Sequence, residues 1–239
     1  MLTSHRISAI SFTIALAFCV ARSQAATITW GPATNINDAT DVATNGLYVD
    51  ALHANPGQGD QTIGDTIFHE QNASSIAGTF TGSTTHISIQ TNGPIGAGNG
   101  SSLGQLPASV TGTYSTVLYY LDYGSEDVTL SQFGTITFSG LTVGNTYQVQ
   151  IWSVQLDNQH YVTTYTSGAN SVLLQLNPGQ FTLGTFTADA AAQSLTMQYS
   201  SGNARYYALN AVALRQLPEP GSLGIIACTG MLLAARRRK

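Results

Sequence analysis

The chain has 239 residues, of which 43% are apolar and only 8% charged, with a formal net charge of −4. Between Ala26 and Leu217 it carries eleven Asp or Glu against two Arg, Arg205 and Arg215, and no Lys. Phosphate binding needs cations that displace counterions, so this balance excludes nucleic acid as a partner and argues against anionic lipid. Its β-branched and aromatic content is too high for a disordered chain, and its polar surface must come from Thr, Ser, Asn and Gln.

The first element is an export signal over residues 1–25. His5 and Arg6 form a short basic region, Ile7 to Val20 an apolar stretch, and Ser23-Gln24-Ala25 a small-x-small cleavage site, so the processed chain is expected to begin near Ala26. A lipoprotein site at Cys19 does not fit, because Phe18 stands where a small residue is needed. Cys19 leaves with the leader and Cys228 lies near the C-terminus, so residues 26–217 contain no cysteine and can form no disulfide.

From Thr27 onward the pattern has period two, broken by Gly, Asn, Pro and Asp, and predicts one all-β domain over 26–217. The predicted strands are Ala26–Trp30, Leu47–His53, Thr62–Phe68, His86–Gln90, Ser115–Tyr123, Gly134–Phe138, Thr146–Gln155, Ser171–Leu176, Gln180–Thr187, Ser194–Ser200 and Tyr207–Arg215. The Gly-rich segment Asn92 to Ser102 reads as a surface loop, and Ala188 to Ala192 as another. No helix is expected before the C-terminal tail. On the strand from Thr146, the residues Tyr147, Val149, Ile151 and Ser153 share one face and should be core; Gln148, Gln150 and Trp152 share the other and should point outward.

Two stretches carry a fold resemblance. Leu141, Gly144 and Tyr147 resemble the tyrosine corner of β-sandwiches, in which the Tyr hydroxyl bonds to the corner backbone. Ala208 to Leu214 is similar to the closing strand of galactose-binding-like jelly rolls, such as malectin-like and family 6-like carbohydrate-binding modules. Four predicted strands follow the one that holds Tyr147, which favours an antiparallel β-sandwich of the jelly-roll kind over a fibronectin type III domain.

Catalytic constellations are sparse. A glycosidase needs two facing carboxyl groups, and Glu70, Glu126 and Asp127 are the candidates, unpaired by any sequence spacing. His69-Glu70 lacks the second histidine of a zinc helix, His53, His69, His86 and His160 have no ligand spacing, and no Gly-x-Ser-x-Gly elbow occurs. The expectation is a protein that is not an enzyme. No cofactor is called for beyond a structural calcium ion, whose hard oxygen ligands would be Asp38 and Asp41 in one Asn/Asp-rich stretch and Asp122 and Asp127 in another; the same residues are ordinary turn formers. A glycan site would stack a sugar on Trp152, with Gln148 and Gln150 beside it and Tyr161 and Tyr165 in or next to loops; the alternative is that Trp152 covers the second layer of a sandwich or lies beneath a loop.

The last twenty-two residues are the most informative. Pro218-Glu219-Pro220 precedes the apolar run Gly221 to Ala235 and the basic block Arg236-Arg237-Arg238-Lys239. Fifteen residues span roughly 22 Å as a helix, short of the roughly 30 Å of a hydrocarbon core, and Gly221, Gly224 and Gly230 weaken that helix further. Such a segment suits brief membrane residence and removal, with the arginines held cytoplasmic. Residues 218–239 resemble the PEP-CTERM sorting signal of bacterial envelope proteins. The resemblance implies export, a membrane-anchored intermediate, and recognition of Pro218, Glu219 and Pro220 by a membrane-embedded cysteine protease of the exosortase type. It also implies release to the cell surface or extracellular matrix. The expected function is therefore a non-catalytic surface or matrix protein associated with extracellular polysaccharide. Its rivals are a polysaccharide-degrading enzyme and a structural matrix protein with no ligand.

Overall fold

A computed structural model describes residues 26–76, 79–92, 96–99, 106–123, 133–155, 162–201 and 207–219. Its strands, in chain order, are β1 (Thr29–Trp30), β2 (Thr34–Asn35), β3 (Leu47–His53), β4 (Gln61–Ile63), β5 (Thr66–Glu70), β6 (Asn72–Ile76), β7 (Thr79–Ser83), β8 (Ile87–Asn92) and β9 (Gly96–Asn99). Then come the helix α1 (Gly112–Leu118) and β10 (Tyr120–Tyr123), β11 (Phe133–Ser139), β12 (Thr146–Ser153), β13 (Val162–Ser167), β14 (Asn170–Gln175), β15 (Gln180–Thr187), β16 (Ala192–Ser201), β17 (Ala208–Leu209) and β18 (Ala211–Gln216).

The strands form two large sheets and one small one. The first runs β1-β15-β12-β18-β3-β5-β4, with β2 also paired to β15; the second runs β14-β13-β16-β11-β8-β7-β6 and is antiparallel throughout. The small sheet is β17-β10-β9. Apolar residues of both large sheets meet in one core, among them Leu52, Val149, Ile151, Val212 and Leu214 of the first and Ile87, Ile89, Ile136, Phe138 and Met197 of the second. Buried Asp50 on β3 ties them together: its carboxylate accepts from the Thr84 hydroxyl at 2.7 Å and the His86 amide at 2.6 Å, at the β7–β8 turn.

The all-β expectation holds in outline, with three corrections. First, β3 and β5 pair in parallel, Leu52 beside His69 and His53 beside Glu70, so the larger sheet is not wholly antiparallel. The predicted strand Thr62–Phe68 is two strands, β4 and β5, folded into a hairpin at Gly64-Asp65, where Gly64 has φ +61°. Reversing there is what lets β5 run alongside β3. Secondly, Ser115 to Leu118 belong to α1, not to a strand. Tyr114, Val117 and Leu118 recur at helical spacing and all three are buried. Only Tyr120–Tyr123 of that predicted strand is extended. Thirdly, part of the predicted Gly-rich loop is β9, and β2, β6, β7 and β13 were not anticipated.

The first sheet also has a covered outer face. Ile36, Val42, Val110, Tyr114, Val117 and Leu118 pack on its outward residues Trp152, Phe68, Phe181, Ala211 and Ala213 as a second apolar cluster. Strand β12 is thereby buried on both faces, and this layer decides the fate of the predicted site.

Candidate functional site

Periodicity assigned the face of β12 correctly but not its exposure. Tyr147, Val149 and Ile151 point into the main core as expected. Trp152, expected outward, is 0% exposed. Its indole packs edge-on against Phe68, with ring centroids 5.5 Å apart, and its Nε1–H donates to the Tyr114 hydroxyl at 3.1 Å. Gln150 is buried too. Its Nε2 donates to the Asp41 carbonyl at 2.6 Å and its Oε1 accepts from the Ala43 amide at 2.9 Å, so it satisfies the backbone of the covering segment. Gln148 is likewise buried, between Arg215 of β18 and Thr185 of β15. Tyr165 lies in the main core, its hydroxyl within 2.7 Å of both Ser153 Oγ and the Ala208 carbonyl, and burial pushes its pKa up. None of these four can stack on a surface sugar, and the expectation of a glycan platform there is corrected. Tyr161 lies outside the described residues.

Two of the four carboxylates considered for calcium, Asp38 and Asp41, are engaged locally. Asp38 caps a 3₁₀ turn over Ala39–Asp41, its Oδ1 accepting from the Thr40 amide at 2.8 Å, and the Thr40 hydroxyl and amide hold its carboxyl below the usual aspartate range. Asp41 closes the reciprocal half of that box through its Oδ2, which also accepts from the Tyr114 hydroxyl at 3.3 Å. Asp122 sits on β10 opposite Leu209 of β17, and Asp127 lies outside the described residues. Among the described residues, no group of three or more His, Cys, Asp and Glu is placed to hold a metal ion.

A carboxylate that sequence reading weighed only as an acid proves to organise a loop. Glu70, at the end of β5, accepts the Gly57 amide at 2.5 Å on Oε1 and the Gly59 amide at 2.6 Å on Oε2. Both glycines have positive φ, +75° and +64°, which turns their N–H groups toward one anion. His53 pins the same loop from β3. Its Nδ1 accepts the Asn55 amide at 3.2 Å, which leaves Nε2 as the N–H that donates to the Gly59 carbonyl at 3.0 Å. Asp60 accepts from the Glu70 amide at 3.2 Å and lies 2.8 Å from His69 Nδ1. The Gly57 and Gly59 amides hold the Glu70 pKa below its ordinary value, His69 does the same for Asp60, and burial lowers His53.

Asp60, His69 and Glu70 line a shallow polar depression of about 330 Å³ with Asn72, Ser83, Thr84 and Thr85. Across the loop, Asn55, Gln58, Ser115, Thr116 and Tyr119 line a second of about 270 Å³. The Glu70 carboxylate of the first is taken up by the Gly57 and Gly59 amides, and Glu126 and Asp127, the other two acids weighed for a glycosidase pair, lie outside the described residues.

At the other end of β12 lie the last described residues of the chain. The Leu217 amide donates to the Thr146 carbonyl at 2.8 Å, and Pro218 and Glu219, which follow at once, are exposed. Pro220 and Arg236, Arg237 and Arg238 lie outside the described residues. Among the described residues no helix is long and apolar enough to cross a membrane. A scan against protein-family models and a search of curated proteins gave no match to this chain.

Proposed function

We propose that this is an exported bacterial envelope protein, sorted through residues 218–239 by an exosortase-type protease, whose body is a non-catalytic surface or matrix component. The observation that carries the reading is the order Pro-Glu-Pro, undersized apolar run, basic block, joined to a folded body whose last described strand, β18, ends at Gln216, just before Leu217 and the motif. A protease needs an accessible substrate, and Pro218 and Glu219 are exposed directly after the Leu217 amide bonds the Thr146 carbonyl. The body is a β-sandwich of jelly-roll type in this reading. Its support is the shared core of two sheets and the corner bond from the Thr142 amide to the Tyr147 hydroxyl at 2.9 Å; the parallel β3–β5 pair is a departure from the antiparallel pattern.

Between the two non-catalytic readings, the burial of Trp152, Gln148, Gln150 and Tyr165 favours a structural matrix protein over a polysaccharide-associated one. Against the degrading enzyme, Glu70 spends both carboxylate oxygens on the Gly57 and Gly59 amides. Pulse-labelling in the native producer tests the sorting step. Wild type should pass from a longer to a shorter form, while Glu219→Ala should accumulate as the longer, membrane-bound form; equal processing of the two would remove the motif from the account. A glycan array probed with the body tests the second step, and clear, specific binding would restore the polysaccharide reading at another surface.

A further inference from the structure

The two most exposed large aliphatic side chains among the described residues are Leu47, at 70%, and Val143, at 60%. Isolated exposed aliphatics need no explanation. These two, however, flank one point. Leu47 begins β3 opposite Gln216, the last residue of β18, and Gln216 also lies opposite Tyr147 on β12. Val143 sits at the tip of the turn closed by the Asn145 amide on the Thr142 carbonyl at 3.1 Å, three residues before Thr146, whose carbonyl receives the Leu217 amide. Leu217 adds its own side chain, which lies close against Gly46. The C-terminal chain thus departs from a rim made of Leu47, Val143 and Leu217.

Three residues, Pro218 to Pro220, separate this rim from the apolar run. Fully extended they reach about 10 Å, and the prolines narrow the directions available. While the run occupies a bilayer, this end of the domain must therefore lie within reach of the lipid headgroups. The acidic side chains at this end are few: Asp65, paired with Arg215, the exposed Asp189 of the adjoining 188–191 turn, and Glu219 of the motif itself. With few anions to desolvate and aliphatic side chains already facing outward, this end meets the requirement for shallow interfacial seating.

Resting on the proposed membrane-anchored intermediate, we infer that the rim of Leu47, Val143 and Leu217 is a docking surface for a zwitterionic bilayer interface, seating the domain upright so that Pro218-Glu219-Pro220 is held at the membrane plane. The opposite end, which carries the Asn55–Asp60 loop and α1, would then face away from the membrane.

The test uses the exported, tail-bearing chain with Cys228→Ser, carrying one environment-sensitive fluorophore at Leu47→Cys, Val143→Cys or Gln58→Cys. Each protein is mixed with phosphatidylcholine vesicles containing brominated acyl chains. The expected result is co-flotation of all three with the vesicles, with blue-shifted, bromine-quenched emission at positions 47 and 143 and unchanged emission at 58. Co-flotation with equal, unquenched emission at all three positions would overturn the docking surface and leave the anchored intermediate standing. Failure to co-float would overturn both. A blue shift at 47 and 143 without bromine quenching would assign the rim to the chain's own apolar run and overturn the bilayer as its occupant.

Discussion

The Trp152 indole and the Tyr114 hydroxyl, 3.1 Å apart, join the middle of the larger sheet to its one α-helix among the described residues. The pair makes Trp152 a scaffold residue. Trp152→Ala should therefore destabilise the domain by about 3–5 kcal/mol, as expected for emptying a packed aromatic site. Tyr114→Phe leaves the buried indole N–H without its acceptor and should cost about 1–3 kcal/mol. Denaturant unfolding monitored by tryptophan fluorescence measures both; a neutral Trp152→Ala would contradict the covered outer face.

Tyr147 is 3% exposed, stacks on Phe186 with ring centroids 5.7 Å apart, and accepts the Thr142 amide through its hydroxyl. Tyr147→Phe keeps the ring and removes the acceptor, so about 1–3 kcal/mol should be lost. The Thr142 amide should also exchange its hydrogen faster with solvent in the variant. Unchanged exchange there would mean that the corner bond contributes nothing.

Glu70 links stability to acid. Its folded pKa lies below its unfolded one because two amides bond the carboxylate, so its contribution is fully present above the unfolded glutamate pKa and is lost as pH falls through the folded one. Asp60 and Asp65 shift in the same direction, through His69 and Arg215 respectively, and share that acid limb. Thermal midpoints measured from neutral pH down through the carboxylate range should fall, and Glu70→Gln should flatten part of the fall while lowering the midpoint at neutral pH. Parallel curves for the two proteins would show that the bond to Gly57 and Gly59 has no energetic weight.

Arg215 is 2% exposed, and its guanidinium donates to the carbonyls of Thr44, Asn45 and Gly46, to Thr66 Oγ1 and to the Asp65 carboxylate. It closes the Thr44–Gly46 turn onto β5 and β18. A single bond to a charged group contributes about 1.5–3 kcal/mol, so Arg215→Met should cost at least about 3 kcal/mol. Lys at this position cannot reproduce the fork and should recover only part of the loss. Full recovery by Arg215→Lys in chemical unfolding would reduce the network to a point charge.

How far the fold was legible follows from what each signal measures. Leu47–His53 and Gln180–Thr187 were read at their observed bounds because an alternating run bounded by Gly or Asn is a local property. The corner at Tyr147 was legible for the same reason. Trp152 was misplaced because period two reports which residues share a face and not whether that face is covered. Its cover comes from Val42 and Tyr114, far away in sequence, and the polar neighbours Gln148 and Gln150 imitated a wet surface while Gln150 was serving buried backbone. In α1 and just after it, the β-branched and aromatic residues Val117 and Tyr119 suit a strand, and seven residues are too few for the helical spacing of Tyr114, Val117 and Leu118 to prevail by inspection. Gly64-Asp65 between two β-forming pairs was the missed turn signal behind the parallel β3–β5 pairing. The Glu70 clamp had no sequence signal beyond two glycines, since its partners are backbone amides.

The central claim, processing through the C-terminal tail, is tested most directly by the intact mass of the protein recovered from the surface or matrix of its native producer. The account predicts a mass lacking the leader before about Ala26 and lacking the apolar run and basic block after the Pro218-Glu219-Pro220 motif. A surface protein whose mass still includes Gly221 to Lys239 would contradict it.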